Sequence, residues 1–108
     1  MMVEIKPKNI FAAIENTAGA EDFSTLVETE AVTIARIVSH SHTSPPGFWY
    51  DQGEDEWVMV VRGSAALEFS SGEIVEMNQG DHLFIPRHVR HRVARTSEMT
   101  IWLAVHVK

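Results

Sequence analysis

After residue 22, short runs of β-branched and aromatic residues alternate with turn-forming residues about every ten positions, and this spacing constrains the fold more than any other feature. Nothing beyond residue 22 keeps a helical period, and the runs have strand length. Eight such runs separated by turns are typical of an all-β sandwich or barrel. We predict strands at about 23–28, 31–39, 56–61, 65–69, 73–77, 82–86, 89–95 and 99–107.

The chain has 108 residues, 44% of them hydrophobic, and no apolar run long enough to cross a membrane, which predicts one soluble domain. We divide it into an N-terminal segment, 1–22, and a single barrel domain, 23–108. Within the segment, Phe11–Ile14 is expected to form at most one helical turn, ended by Gly19. The N-terminus lacks the apolar stretch of a secretion signal, so we expect a cytoplasmic protein. The net charge of -6 argues against a nucleic-acid partner.

The chain contains no cysteine, which excludes disulfides, thiolate catalysis and thiolate metal sites. Any bound metal ion must therefore be held by histidine, carboxylates or other nitrogen and oxygen donors. Four arginines and three histidines lie between Gly80 and Arg95. In an acidic chain, that concentration indicates either a solvated basic face or the wall of a site.

Side-chain alternation along the run 56–61 predicts two distinct faces, because successive residues of a strand point to opposite sides. One face carries Glu56, Val58 and Val60, and the other carries Trp57, Met59 and Val61. Both faces are largely apolar, so both are expected to be covered, one by the barrel interior and the other by a partner chain or the N-terminal segment. We predict that the second face and the apolar last strand form a homodimer contact.

The run 89–95 alternates in the same way. His91 and Arg95 share their face with Val89 and Val93, so this face is predicted to point into the barrel. Arg90 and Arg92 point outward. The basic stretch is thus expected to divide between the surface and the interior.

Two spacings resemble the motifs of the cupin family. Glu56, six residues and then Gly63 resemble the second half of the first cupin motif. Gly80, five residues, Pro86, four residues and His91 resemble the second motif. The segments GFWYDQ and EWV are further similar to a group of small single-domain bacterial cupins without an assigned activity. The resemblance covers nearly the whole predicted domain and implies a jelly-roll barrel (double-stranded β-helix) of two sheets with a site inside its mouth.

In metal-binding cupins the first motif supplies two histidines and a glutamate, and the second supplies a histidine. The resemblance therefore implies that Glu56 and His91 bind a divalent ion. The residues at the two first-motif histidine positions are Tyr50 and Gln52 by the shorter spacing, or Trp49 and Asp51 by the longer. We predict Gln52 or Asp51 as a third ligand, a set that suits Fe, Mn, Ni or Zn alike. The alternative is that Glu56 and His91 hydrogen-bond each other and hold two strands in register.

Two further departures from the family pattern predict a ligand site. Arg95 stands where the family has asparagine, and a buried guanidinium suits the carboxylate of a small anionic ligand. His88 stands where the family has glycine and is either an exposed loop residue or a residue at the rim of the site. Trp49 and Tyr50 form either the wall of an apolar pocket or a dimer contact.

Three functions remain open from the sequence. The first is a metal-dependent enzyme of oxygenase or isomerase type, with Tyr50 as a possible proton donor. The second is a module that binds a small anionic ligand without turnover, and the third is a dimer with a vestigial site. The missing first-motif histidines favour the second over a redox enzyme. The sequence assigns no role to His40 and His42, and it places His82 and His106 in the structural framework or at the surface.

Overall fold

The computed structural model describes residues 5–15 and 19–108, and within them the chain is all-β, as predicted. Each strand begins and ends within two residues of its predicted bounds. The strands are β1 Glu21–Glu28, β2 Val32–Ser39, β3 Asp55–Arg62, β4 Ser64–Phe69, β5 Ile74–Asn78, β6 His82–Ile85, β7 His91–Thr96 and β8 Thr100–Val107. None of the described residues belongs to a helix that is long and apolar enough to cross a membrane.

The strands form two antiparallel sheets, as a jelly roll requires. One sheet has five strands in the order β1-β2-β8-β3-β6, and the other has three in the order β5-β4-β7. The core lies between them and draws on both. Its members are Val58, Val60, Ala65, Leu67, Met77, Ile85, Val93, Trp102 and Ala104.

The tight turn between β3 and β4 explains why the first cupin-like motif ends in glycine, at Gly63. Gly63 has a φ of 87°, a conformation that side chains disfavour. A Cβ atom at this position would also collide with the backbone oxygen of Met99 and lie 2.6 Å from the hydroxyl of Ser97. Glycine is therefore needed here both for its conformational freedom and for the close approach of the loop before β8.

The predicted helical turn at Phe11–Ile14 is not formed: the described residues 5–15 contain only a turn near Ile10 and bends after it. Residues 16–18, which the prediction also spanned, lie outside the described part of the chain. Residues 10–12 instead lie against the five-stranded sheet, where Arg36 donates hydrogen bonds to the carbonyl oxygens of Ile10 at 3.0 Å and Ala12 at 2.6 Å. Short-range helix propensity is outweighed by these contacts to β2.

The two predicted faces of β3 are confirmed. Glu56, Val58 and Val60 are 7%, 4% and 0% exposed and point between the sheets. Trp57, Met59 and Val61 are half-buried on the outer side. Alternation holds from Asp55 to Val61, where β3 pairs with β8 on one side and β6 on the other, and the pairing with β8 shifts between Val60 and Arg62.

The predicted inward orientation of Arg95 is wrong, although His91 and Val93 point inward as expected. The pairing of β4 with β7 shifts by one residue, so that Leu67 faces Val93 but Ala66 faces Arg95. The extra residue is a β-bulge, which reverses the inward and outward positions beyond it. The Arg95 side chain is 49% exposed and its Nη2 lies 2.6 Å from Oε2 of Glu76 on β5, outside the barrel.

Candidate functional site

A cavity of about 500 Å³, counting its mouth open to solvent, lies between the sheets. Apolar side chains form much of its wall, including Val58, Leu67, Ile85, Val93 and Trp102. The polar side chains that reach it are Glu21, Tyr50, Gln52, Glu56, His91 and His106. A largely apolar pocket with a few convergent polar groups is the usual form of a small-molecule site.

Glu56 lies between two histidines that come from different strands. Its Oε2 is 3.0 Å from Nε2 of His106, and its Oε1 is 3.7 Å from Nε2 of His91. His106 is the direct cross-strand partner of Glu56 in the pairing of β3 with β8, so backbone register alone places the two side chains together. His91 reaches the same carboxylate from the opposite sheet, and both it and Glu56 are less than 10% exposed.

The orientation of the His91 ring is fixed by its neighbours. Nδ1 is 3.0 Å from the carbonyl oxygen of Val89, which can only accept, so Nδ1 carries a proton. The ring stacks on Tyr50 with centroids 5.4 Å apart and lies 5.9 Å from Phe69. In its neutral form His91 would thus present the lone pair of Nε2 to the cavity, as a metal ligand or general base does.

His106 is an acid–base partner of Glu56. The short contact with the Glu56 carboxylate raises the pKa of His106 above its ordinary value of 6.5, and burial, which acts in the opposite direction, does not cancel it. Although the separation is 3.0 Å, the oxygen lies off the direction of a well-aligned hydrogen bond, and Nε2 is buried without another partner in the described residues. The contact is therefore an ion pair when His106 is protonated, and Nε2 of His106 makes no well-aligned hydrogen bond.

Glu21 is a second carboxylate of the cavity. Tyr50 donates a hydrogen bond to its Oε1 and Ser39 donates one to its Oε2, both at 3.3 Å. The indole N–H of Trp102 donates to the same Ser39 hydroxyl at 3.1 Å, and Nε2 of His42 lies 3.6 Å from Oε2. Burial, followed by the charge and the hydrogen bond of Glu21, raises the pKa of Tyr50 to about 12.

The residues predicted as metal ligands do not all meet. Glu56, His91 and Gln52 reach the same cavity, but Asp51 does not. The Asp51 carboxylate is half exposed and lies 2.9 Å from Nδ1 of His88, outside the cavity wall. No group of three or more histidine, aspartate or glutamate side chains in the described ranges is arranged as a ready metal site.

The predicted ligand-binding residues also separate. Tyr50 lines the cavity, whereas Trp49 packs under the guanidinium of Arg90 at 5.8 Å from the ring centre. His88 is exposed and has a φ of 64°, the left-handed conformation that explains why glycine suits this position in the family. Arg95 faces outward, so the charge partner predicted for an anion is absent from the cavity wall.

His106, Glu21 and His42 are not among the site residues predicted from the sequence. His106 shares strand parity with Trp102 and Ala104, and this alternation was the available indication that it points inward. Glu21 lies two residues before the predicted start of β1 and belongs to no motif. His42 reaches Glu21 from the loop after β2, whereas His40 is 1% exposed and neither of its ring nitrogens has a partner among the described residues.

Comparison with known proteins agrees with this architecture. A family model of the cupin domain matches residues 35–106. The chain is 48% identical to a candidate mannose-6-phosphate isomerase from Ralstonia eutropha JMP134, with a TM-score of 0.90 over 96% of this chain and 99% of that one. No curated protein matches the chain.

More distant structures share the fold alone. A cupin superfamily protein from Desulfitobacterium hafniense DCB-2 has a TM-score of 0.79 at 15% identity, covering 98% of this chain and 94% of that one. An RmlC-like cupin from Desulfovibrio desulfuricans has a TM-score of 0.75 at 14% identity, covering 95% of this chain and 97% of that one. Identity this low carries no inference about activity.

Proposed function

Because the chain belongs to the cupin family, we propose that its cavity binds a divalent transition-metal ion and, beside it, a small organic molecule. Glu56, His91 and His106 are the proposed ligands. The observation that carries the proposal is the placement of one buried carboxylate between two imidazole Nε2 atoms, at 3.0 and 3.7 Å, in a cavity open to solvent. Such distances are of the size that separates neighbouring ligands of one ion.

The chemistry of these donors fits a metal better than the sequence suggested. Two imidazoles and one carboxylate suit Fe, Mn, Ni or Zn. His91 already has the tautomer of a ligand, held by the Val89 carbonyl, and the buried Nε2 of His106 lacks an aligned partner. Binding requires Glu56 to exchange its contact with His106 for a shared ion, which would act as a Lewis acid towards a bound molecule.

We propose that Tyr50 positions other cavity groups and does not act as the proton donor considered from the sequence. With its pKa raised to about 12, the phenol stays neutral and is poorly matched to general acid catalysis near neutral pH. Its hydroxyl donates to Glu21 and its ring stacks on His91. Tyr50 thus orients the ring of His91 and connects the two carboxylates of the cavity.

Metal titration of the purified protein tests the proposal. We expect Mn²⁺ or Zn²⁺ to bind with one site per chain, and Glu56→Gln, His91→Ala or His106→Ala to weaken binding by more than the about 10- to 100-fold typical of changes outside the ligand set. His88→Ala, which removes an exposed histidine, is the matched control. Absence of stoichiometric metal binding, or an equal loss in the control, would show that the cavity is not a metal site.

An isomerase activity is the second candidate, favoured by the 48% identity with the Ralstonia protein. Aldose–ketose isomerisation moves a proton between neighbouring carbons, and Glu56, placed against His106, is the group suited to accept and return it. A coupled assay with mannose 6-phosphate and with mannose tests this, with Glu56→Gln as the inactive reference. Turnover that persists in Glu56→Gln would exclude this role for Glu56.

We also propose that two chains associate through the outer face of the five-stranded sheet. Trp57 and Phe84 are cross-strand partners on this face, as are Met59 and Leu103, and Phe84 is 55% exposed. Light scattering is expected to give a dimer mass for the wild type and a monomer mass for Trp57→Glu. Ile74→Glu, on the other sheet, is the control that should remain dimeric.

A further inference from the structure

Glu21 is a buried carboxylate whose hydrogen-bonding capacity is only partly used. Its side chain is 10% exposed. A carboxylate offers about four acceptor positions, and bonds from hydroxyls to a carboxylate are usually about 2.5–2.7 Å long. The two hydroxyls that reach Glu21, from Tyr50 and Ser39, both stand at 3.3 Å, and Nε2 of His42 at 3.6 Å. Acceptor capacity therefore remains on a carboxylate that lines the cavity.

The charge of the cavity wall points to the kind of group that Glu21 would accept. Glu21 and Glu56 both line the cavity, and none of the described residues that line it is lysine or arginine. Histidines are the nearest basic groups, and His106 is already engaged by Glu56. While no metal ion is bound, a wall with two carboxylates favours a hydrogen-bond donor and disfavours an anion, because an unpaired charge in a partly buried site is costly.

The apolar part of the wall stands next to this carboxylate. Phe23 follows Glu21 by two residues on β1, so the two side chains share a face, and Trp102 is joined to Glu21 through the hydroxyl of Ser39. A ligand can thus place a donor group on Glu21 and a hydrocarbon or ring against Phe23 and Trp102. This combination defines an amphipathic ligand with a polar end that carries no negative charge.

We propose that Glu21 determines the ligand specificity of the cavity by accepting a hydrogen bond from a hydroxyl or ammonium group, and that the cavity rejects ligands with an anionic group at this position. The proposal rests on the proposed function only in that the cavity is the ligand site. An inward Arg95 predicted an anionic ligand, whereas the present proposal is a ligand without negative charge at the group that meets Glu21. A phosphorylated sugar would accordingly have to bind with its phosphate away from Glu21.

Three fragments of nearly equal shape test the proposal in the protein as purified: benzylamine, benzyl alcohol and benzoate. Their dissociation constants are measured by following the indole N–H resonance of Trp102, which lies at the cavity wall, in nuclear magnetic resonance titrations. We expect benzylamine and benzyl alcohol each to bind at least about tenfold more tightly than benzoate, a difference of about 1.4 kcal/mol. Comparing the two donors distinguishes an ammonium from a hydroxyl ligand.

Variants then assign the selectivity to Glu21. Glu21→Gln should weaken benzylamine about tenfold or more and reduce the preference over benzoate, whereas Glu28→Gln, the same change at an exposed position of β1, should alter neither. Benzoate binding as tightly as benzyl alcohol, or none of the three binding, would overturn the proposal. The order of the three dissociation constants is measured on the wild-type protein, so the proposal can be tested even if Glu21→Gln folds poorly.

The metal content of the same samples is measured in parallel. If the fragments follow the expected order in protein that binds no metal, the metal proposal fails and the role of Glu21 stands. If metal binds stoichiometrically but benzoate still binds best to the protein after the metal is removed, the role of Glu21 fails and the metal proposal stands.

Discussion

Glu56 and Glu21 line the same cavity and are both about nine-tenths buried, but their partners differ in kind. Glu56 is met by two imidazoles, from His91 and His106, whereas Glu21 is met by the hydroxyls of Tyr50 and Ser39 with His42 further away. The partners of Glu56 can carry or exchange a proton near neutral pH, and hydroxyls cannot. Residue type and burial alone therefore do not define a role: Glu56 suits metal or proton chemistry, and Glu21 suits recognition.

Tyr50 lies between the surroundings of Glu56 and those of Glu21. The largest effect that we expect is a change in the Tyr50 pKa. It is the only tyrosine of the chain, so ultraviolet absorbance follows its ionisation without overlap from another tyrosine. Burial and Glu21 raise its pKa from 10.0 to about 12. We expect Glu21→Gln to lower the midpoint while leaving it above 10.0, because burial is the largest cause, and Glu56→Gln to lower it less. Equal shifts of the Tyr50 midpoint in Glu21→Gln and Glu56→Gln would contradict the distinction between the two carboxylates.

The same pKa shift predicts how stability depends on pH. Since the folded pKa of Tyr50 exceeds the unfolded value of 10.0, its contribution is complete below about pH 10 and is lost as the pH rises towards 12. Denaturant unfolding at a series of pH values from about 9 to 11 should show a steeper loss for the wild type than for Tyr50→Phe. Parallel curves would mean that the phenol ionises equally in both states.

His106 tests the opposite dependence, because its pKa is expected to respond to Glu56 and not to Glu21. The expected pKa change is smaller than that of Tyr50. Its pKa is raised by Glu56, so we expect Glu56→Gln to bring the nuclear magnetic resonance titration of His106 back towards 6.5 or below, while Glu21→Gln leaves it unchanged. The contribution of this pair to stability is complete below about pH 6.5 and is lost as the pH rises through the folded pKa. His88, exposed and distant from Glu56, is the internal control. A response to Glu21→Gln as large as to Glu56→Gln would contradict the separation of the two regions.

The smallest effect is expected outside the cavity, at Arg95. Its exposed pair with Glu76 should contribute at most about 1 kcal/mol, so Arg95→Ala should change the free energy of unfolding little and the Tyr50 midpoint not at all. Arg92→Ala is the contrasting variant on the same strand, because Arg92 is 16% exposed and also donates to the carbonyl of Ser44 at 2.6 Å. Loss of fragment binding in Arg95→Ala alone would restore the predicted role of Arg95 in the cavity.

Much of this architecture could be predicted because its causes are local. Turn residues at regular intervals located all eight strands, and alternation along β3 separated Glu56 from Trp57. Two motif spacings indicated Glu56 and His91, which the structure brings to one cavity. The N-terminal segment was harder, since its conformation depends on hydrogen bonds from Arg36 in β2.

What the sequence by itself determined is therefore the set of strands and the inward face of β3, because turn residues mark where strands end and an extended chain has a two-residue period. The two-sheet jelly roll followed from the resemblance of the two motifs. Tertiary structure alone decided three things. The bulge in β7 turned Arg95 outward, the register of β3 with β8 placed His106 opposite Glu56, and β1 brought Glu21 to Tyr50, 29 residues away. Each depends on how distant strands pair, and pairing between distant segments leaves no periodic trace in either of them.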